Sequence, residues 1–193
     1  MAEKQRHFAI LSMSCILECL VHLNNSSHDS LELAQRALAT ARTHQLDPSL
    51  QKAKQLSALL NILDLAAELA AINADQAALK MTDMQRLMDK ANQSDAWTSD
   101  GSLCVPIGIP AWENLDTDAP GILQKTTDGE CAVVFNWLKR SELYGLGYLL
   151  SGVASLQKNW VDEKAEKYFR EGLKITAGPS LQPIMEIRPT LTA

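Results

Sequence analysis

Apolar side chains recur at intervals of three and four along most of the chain, the spacing that lines one face of an α-helix. From about Arg6 to Leu23 the residues Ile10, Met13, Ile16, Leu17 and Leu20 follow it, and the polar run Asn24-Asn25-Ser26-Ser27 ends it. Asp29 followed by Glu32 has the form of a capping box, so a second helix opens there and turns Leu33, Ala34, Ala37, Leu38 and Ala41 inward. The two predict an antiparallel hairpin. Asp47-Pro48 sets an N-cap residue before a proline at the first helical position, predicting a third helix that runs to about Ile72. Asn73 to Asp75 turns the chain. A fourth helix from about Gln76 to Ala91 directs Leu79, Met81, Met84, Leu87 and Met88 toward its neighbours and leaves Asp83, Arg86 and Lys90 to water.

From Asn92 to Thr127 the period is lost. Pro106, Pro110 and Pro120 fall among Asp95, Asp100, Glu113, Asp116 and Asp118, with Asp128 just beyond, so 92–134 reads as a long acidic, proline-containing loop. Helical spacing returns near Trp137 or Ser141 and runs to Gln157, and after a turn at Lys158-Asn159 a last helix spans about Val161 to Ile175. The reading is all-α, with about six helices in antiparallel pairs and no sheet larger than a short hairpin. Two helical hairpins occupy 1–91, the loop 92–134 and a third hairpin 135–176. The segment 177–193, with Pro179, Pro183 and Pro189, is expected to be an extended tail.

Composition supports this and removes several functions. Hydrophobic residues make up 46% of the 193 positions, charged residues 21% and aromatics 5%. Leu and Ala dominate the apolar share, and the β-branched and aromatic residues that suit a sheet are scarce outside a few short stretches. A chain of this size buries a core without disulfides or metal. The net charge is −5 and the basic residues are dispersed, as in the isolated pair Lys139-Arg140, whereas nucleic-acid binding needs clustered phosphate contacts. Direct nucleic-acid binding is not expected. The stretch Leu56 to Ile72 is the most apolar, but Asn61, Asp64 and Glu68 interrupt it on one helix face. It is amphipathic, whereas a membrane span wants about 20 nearly uncharged residues. Cys15, Cys19, Cys104 and Cys131 form no CxxC pair, and no basic-flanked apolar leader opens the chain. A reducing, intracellular compartment is the expectation.

Candidate chemistry dissolves on inspection. Cys15, Cys19 and His22 share a helix face, yet three ligands on one helix rarely close a zinc site, and the thiols read as core. Ser27, His28 and Asp29 are consecutive, and a hydrolytic triad must converge from separate segments; they read as a helix cap. Gly145, Gly147 and Gly152 lie within a helix instead of between a strand and a helix, so they read as close packing and not as a phosphate cradle. His7, His22, His28 and His44 are scattered without orienting carboxylates. Trp97 and Trp112 read as pins of the loop, with partner anchoring as the functional alternative. Trp137 and Trp160, flanking the fifth helix, read as packing. No catalytic, cofactor-binding or metal-binding residue emerges, no cofactor is expected, and the partner-contacting residues are not readable.

Two stretches carry a family resemblance. In the last hairpin Tyr148, Gly152, Ala165, Phe169, Gly172 and Leu173 fall near tetratricopeptide positions, with one extra turn residue, and with Gly172 where such repeats usually have alanine. The stretch FNWLKRSELYGLGYLLSGVASLQKNWVDEKAEKYFREGLKI, Phe135 to Ile175, resembles the tetratricopeptide subunit of the cohesin loader. MQRLMDKANQSDAW followed by TSDGSLCVPI is similar to fungal members of that family. The resembling region runs from about Thr82 to Ile175, and the earlier hairpins share only the style.

The resemblance implies a non-catalytic scaffold that wraps an extended segment of the large HEAT-repeat loader subunit. It would help place cohesin on chromatin for sister chromatid cohesion, in the nucleus, with cohesin and chromatin as indirect partners. Because full members are several times longer, it also implies a fragment or truncated form. Two alternatives follow from the residues: a tetratricopeptide adaptor of another assembly, and a helical enzyme using Asp95, Asp100, Glu113 and Asp116 as acid and base. A chaperone-tail clamp is disfavoured, because the helix from Ser141 to Gln157 carries no Lys or Arg.

Overall fold

The structure, a computed structural model, describes residues 8–25, 27, 29–51, 54–92, 102–110, 123–125, 129–136, 138–159 and 163–177. Their order is α1 (Phe8–Leu23), α2 (Ser30–Gln45), the short α3 (Pro48–Gln51), α4 (Lys54–Ala70), α5 (Ala74–Asn92), β1 (Ser102–Pro110), β2 (Leu123–Lys125), β3 (Glu130–Asn136), α6 (Arg140–Lys158) and α7 (Glu163–Ala177). Antiparallel pairs α1/α2, α4/α5 and α6/α7 stack side by side, α2 against α4 and α5 against α6. The helix-dominated reading holds.

α4 is the spine. Its Leu56, Leu59, Leu60, Leu63 and Ala67 join α1 and α2 in one core, while Ala58, Ile62, Leu65 and Leu69 join α5 and α6 in a second. A helix apolar on two faces is the one with neighbours on both sides. Only the strip carrying Asn61, Asp64 and Glu68 is left polar.

Sequence spacing put the α1 face slightly wrong. Met13 and Ile16 are buried as expected, but Ile10 and Leu17 are 42% and 53% exposed, and Ala9, Ser12 and Cys19 take the interior. The partner decides: α2 presents Ala34, Ala37 and Ala41, and small faces on both helices let the backbones approach. Met84 and Met88 of α5 are buried as expected, but Leu79, also expected inward, is 60% exposed and Ala77 is buried. The α2 face, Ala34, Ala37, Leu38 and Ala41, is buried as expected. Its start differs in detail: Asp29 sits at the N-cap without a side-chain capping bond, and the Ser30 hydroxyl donates to the carbonyls of Asn25 and Ser27 at 2.7 and 2.6 Å.

The acidic segment 92–134, read as loop, holds a three-stranded antiparallel sheet in the order β1-β3-β2. The central strand ECAVVFN carries the β-branched pair Val133 and Val134, residues that suit a pleated surface. Pro106 and Pro110 are tolerated because β1 is an edge strand and its register shifts between them. Phe135 packs against the α1/α2/α4 core, fastening the sheet to the helices. Trp97, Trp112, Trp137, Trp160 and the tail 178–193 lie outside the described residues.

The α6/α7 pair is knit by glycine. A Cβ on Gly172 would stand 3.2 Å from the Gly145 carbonyl oxygen, and one on Gly152 would stand 2.7 Å from the Phe169 ring. Of the tetratricopeptide-like positions, Ala165 is buried, 1% exposed, but Leu173 is 43% exposed.

Candidate protein-binding groove

Arg42, in the last turn of α2, reaches across to α4. Its Nη2 donates to Asp64 Oδ2 at 2.6 Å and its Nε to the same oxygen at 3.1 Å. Nη2 also donates to Asn61 Oδ1, and Nη1 to Gln45 Oε1 at 3.1 Å. From α5, Lys80 Nζ lies 3.6 Å from that same carboxylate oxygen. One oxygen therefore draws cations from two helices and ties three helices together.

The carboxylate is shielded, with 12% of its side chain exposed, whereas Arg42 and Lys80 keep 32% and 38%. A carboxylate at that depth needs charge-assisted partners, and two cations on one carboxylate leave an excess of donors facing solvent. Open depressions of about 400 and 420 Å³ share Arg42, Asp64 and Lys80, forming a groove over α2, α4 and α5. Asp83 and Arg86, paired at 2.7 Å, lie along one side, and Gln35 and Glu68 along the other. Guanidinium, ammonium and amide groups held on rigid helices suit the carbonyls and carboxylates of an extended segment.

Beneath the groove, burial first and then the negative charges of Asp64 and Glu18 push the Cys19 thiol up to about 11. Burial first, then Glu18, also raises the Cys15 thiol. These groups are held as neutral thiols. His22 Nε2 stands 3.8 Å from Glu18 Oε1 on the same helix. Among the described residues no three His, Cys, Asp or Glu side chains gather as a metal ion would need. Gly145, Gly147 and Gly152 lie inside α6. Ser27 supplies carbonyl acceptors to Ser30, and His28 lies outside the described residues, as do Asp95, Asp100, Glu113 and Asp116.

Sequence reasoning marked Asn61, Asp64 and Glu68 as one polar face but not as a site. The missing link is Arg42, 22 positions earlier. A carboxylate between Leu63 and Leu65, in a helix apolar on two faces, was the available signal.

The family described as cohesin loading factor matches the chain over residues 1–183. No curated protein and no solved structure matches it.

Proposed function

The chain belongs to the cohesin loading factor family, and from that premise we propose that it is a non-catalytic scaffold, built of tetratricopeptide-like pairs, acting in cohesin loading by holding an extended segment of the large HEAT-repeat loader subunit. The groove over α2, α4 and α5 is where that segment lies. Cohesin and chromatin are reached through the large subunit, and the place of action is the nucleus.

The observation that carries this reading is the Asp64 carboxylate shared by Arg42 and Lys80 on the floor of an open groove. Three helices spend charged side chains on one half-hidden point that a purely structural core would fill with apolar groups. The two cations retain donor capacity toward the outside, and rigid helices keep it in register. An extended segment that lays its carbonyls or carboxylates along the groove completes those bonds without asking the scaffold to move.

The test is co-expression of the full chain with the large subunit, followed by size-exclusion chromatography. Lys80→Ala leaves the Arg42–Asp64 bonds intact, so the fold survives while the groove loses a cation. Combined with Arg86→Ala it should reduce co-elution strongly. Arg170→Ala, which removes an exposed pair on α7 with Glu166, should not. Co-elution of the double variant at parental levels would overturn the groove as the docking surface.

A further inference from the structure

On the other side of α5 from the groove, between α5, α6 and α7, lies a cavity of about 210 Å³. All three tyrosines of the chain line it: Tyr144, Tyr148 and Tyr168. The rings of Tyr148 and Tyr168 stand 6.4 Å apart, centre to centre, tilted by 37°. Tyr144 is fixed from outside, its hydroxyl donating to the Met88 carbonyl at 2.7 Å. The wall between them is open because position 147 is glycine, where a Cβ would stand 2.9 Å from the Met88 sulfur. Met84, Gln85 and Ser151 also line it, and so does Asp89, which is exposed and without a salt bridge among the described residues.

The tyrosines, the methionines and Asp89 of that lining favour positive charge. Tyrosine faces are electron-rich and attract cations, thioethers are polarizable, and Asp89 adds a full negative charge. Among the described residues no lysine or arginine lines the cavity, so an anion meets no counter-charge from them. Two backbone carbonyls beside the cavity are already engaged, the Met88 carbonyl by Tyr144 and the Gly147 carbonyl by the Ser151 hydroxyl at 2.9 Å. Ser151 Oγ in turn accepts from Gln85 Nε2 at 3.1 Å. A primary ammonium entering here finds the Asp89 carboxylate at the rim but too few further acceptors for its three N–H donors. An alkylated ammonium needs none. The cavity is also smaller than the roughly 300–1,000 Å³ of sites for drug-sized ligands, which fits the tip of a side chain.

We propose that this cavity is a tyrosine-lined pocket for a methylated lysine side chain of a partner protein, with Tyr148, Tyr168 and Tyr144 facing the alkylated ammonium and Asp89 at the rim. That the bearer is a protein rests on the scaffold reading above; the affinity for the cation does not.

The full chain is titrated by calorimetry with Nα-acetyl-trimethyllysine methylamide, with the unmethylated lysine analogue, with a neutral tert-butyl isostere and with choline. The trimethyllysine probe should bind about tenfold more tightly than lysine or the isostere, the scale of a desolvated cation–π contact. Asp89→Asn, at an exposed position, should weaken binding several-fold with unchanged circular dichroism, and Tyr148→Leu should abolish it. Equal binding of the neutral isostere, or no binding of any ammonium, overturns the pocket, and choline matching trimethyllysine overturns a lysine as its source. Co-elution with the large loader subunit, measured in parallel, separates the two ideas. If it persists while no ammonium binds, the pocket alone fails. If it is lost while trimethyllysine still binds, the pocket stands without the groove.

Discussion

Gly152 of α6 faces the ring of Phe169 on α7 so closely that a Cβ there would come within 2.7 Å of Cε1 and 2.8 Å of Cζ. The hairpin is set by this contact more than by any hydrogen bond. Gly152→Ala adds helix propensity worth about 1 kcal/mol but forces the ring aside, and overpacking typically costs about 1–3 kcal/mol. The net expectation is a loss of about 1 kcal/mol. In a Phe169→Ala background the obstacle is gone and only the propensity gain remains, so the same substitution should stabilise. Urea denaturation of the four chains checks the reversal, and a destabilising Gly152→Ala in both backgrounds would mean the ring is not what limits the approach. Phe169 is only partly buried, so Phe169→Ala itself should cost less than the about 3–5 kcal/mol of a fully buried ring.

The α4–α5 turn holds a strained residue. Ile72 has φ 55°, the left-handed region that β-branched residues avoid. Asn73 N–H donates to the Glu68 carbonyl at 3.1 Å and Ile72 N–H to the Leu69 carbonyl at 3.1 Å, the bond pattern of a Schellman C-cap, where glycine is usual. With 81% of Ile72 exposed, replacement loses little packing. Relieving about 1–2 kcal/mol of left-handed strain, less about 0.5–1 kcal/mol for the added freedom of the unfolded chain, leaves Ile72→Gly more stable by about 0.5–1 kcal/mol. A lowered melting temperature would show that the side chain has a role in the turn.

How much of this could be read from the sequence differs by element. The start of α2 followed from Asp29, that of α3 from Pro48 and the turn between α4 and α5 from Asn73, because caps and turns are local; the separate start of α4 at Lys54 did not. The rotation of α1 did not. That helix carries Ile10, Leu11, Met13, Ile16, Leu17, Leu20 and Val21, apolar nearly all round, so spacing cannot select a face until the alanines of α2 do. The sheet was hidden by Pro106 and Pro110, which punctuate loops and are admitted here by an edge strand, while Val133-Val134-Phe135 was the signal outweighed. The groove and the tyrosine pocket are non-local: Arg42 and Asp64 lie on different hairpins, and Asp89 and Tyr168 on different pairs. Their chemistry becomes visible only when the pairs stack.

The Arg42–Asp64 link should matter for stability as well as binding. Removing Arg42 leaves a shielded carboxylate with Lys80 at 3.6 Å as its remaining cation. The cost of Arg42→Ala should be about 1–3 kcal/mol, the range for a buried acceptor that loses its partner, below the about 3–5 kcal/mol of a fully buried pair. Arg42→Ala combined with Asp64→Leu, which removes the charge and supplies apolar volume, should recover most of the loss. If the double variant is as unstable as the single one, the exposed stem of Arg42, and not its charge, does the stabilising.

Cys19 gives the pH dependence a direction. Its ordinary pKa is 9.0, and in the fold it is raised to about 11 by burial, then Asp64 and Glu18. Below pH 9 the thiol is protonated in both folded and unfolded chains and contributes no slope. Between about pH 9 and 11 the unfolded chain has released the proton and the folded one has not. The unfolded state binds fewer protons there, so stability falls as pH rises through that window. The comparison is with Cys19→Ala, whose stability should start lower because of the cavity and decline less steeply. The same burial should keep Cys19 unreactive toward a disulfide reagent at pH 8 in the folded chain, since the thiolate is the nucleophile. Rapid labelling of Cys19 at pH 8 without denaturant, or parallel pH profiles for the two chains, would mean that α1 opens or that burial does not hold the thiol protonated.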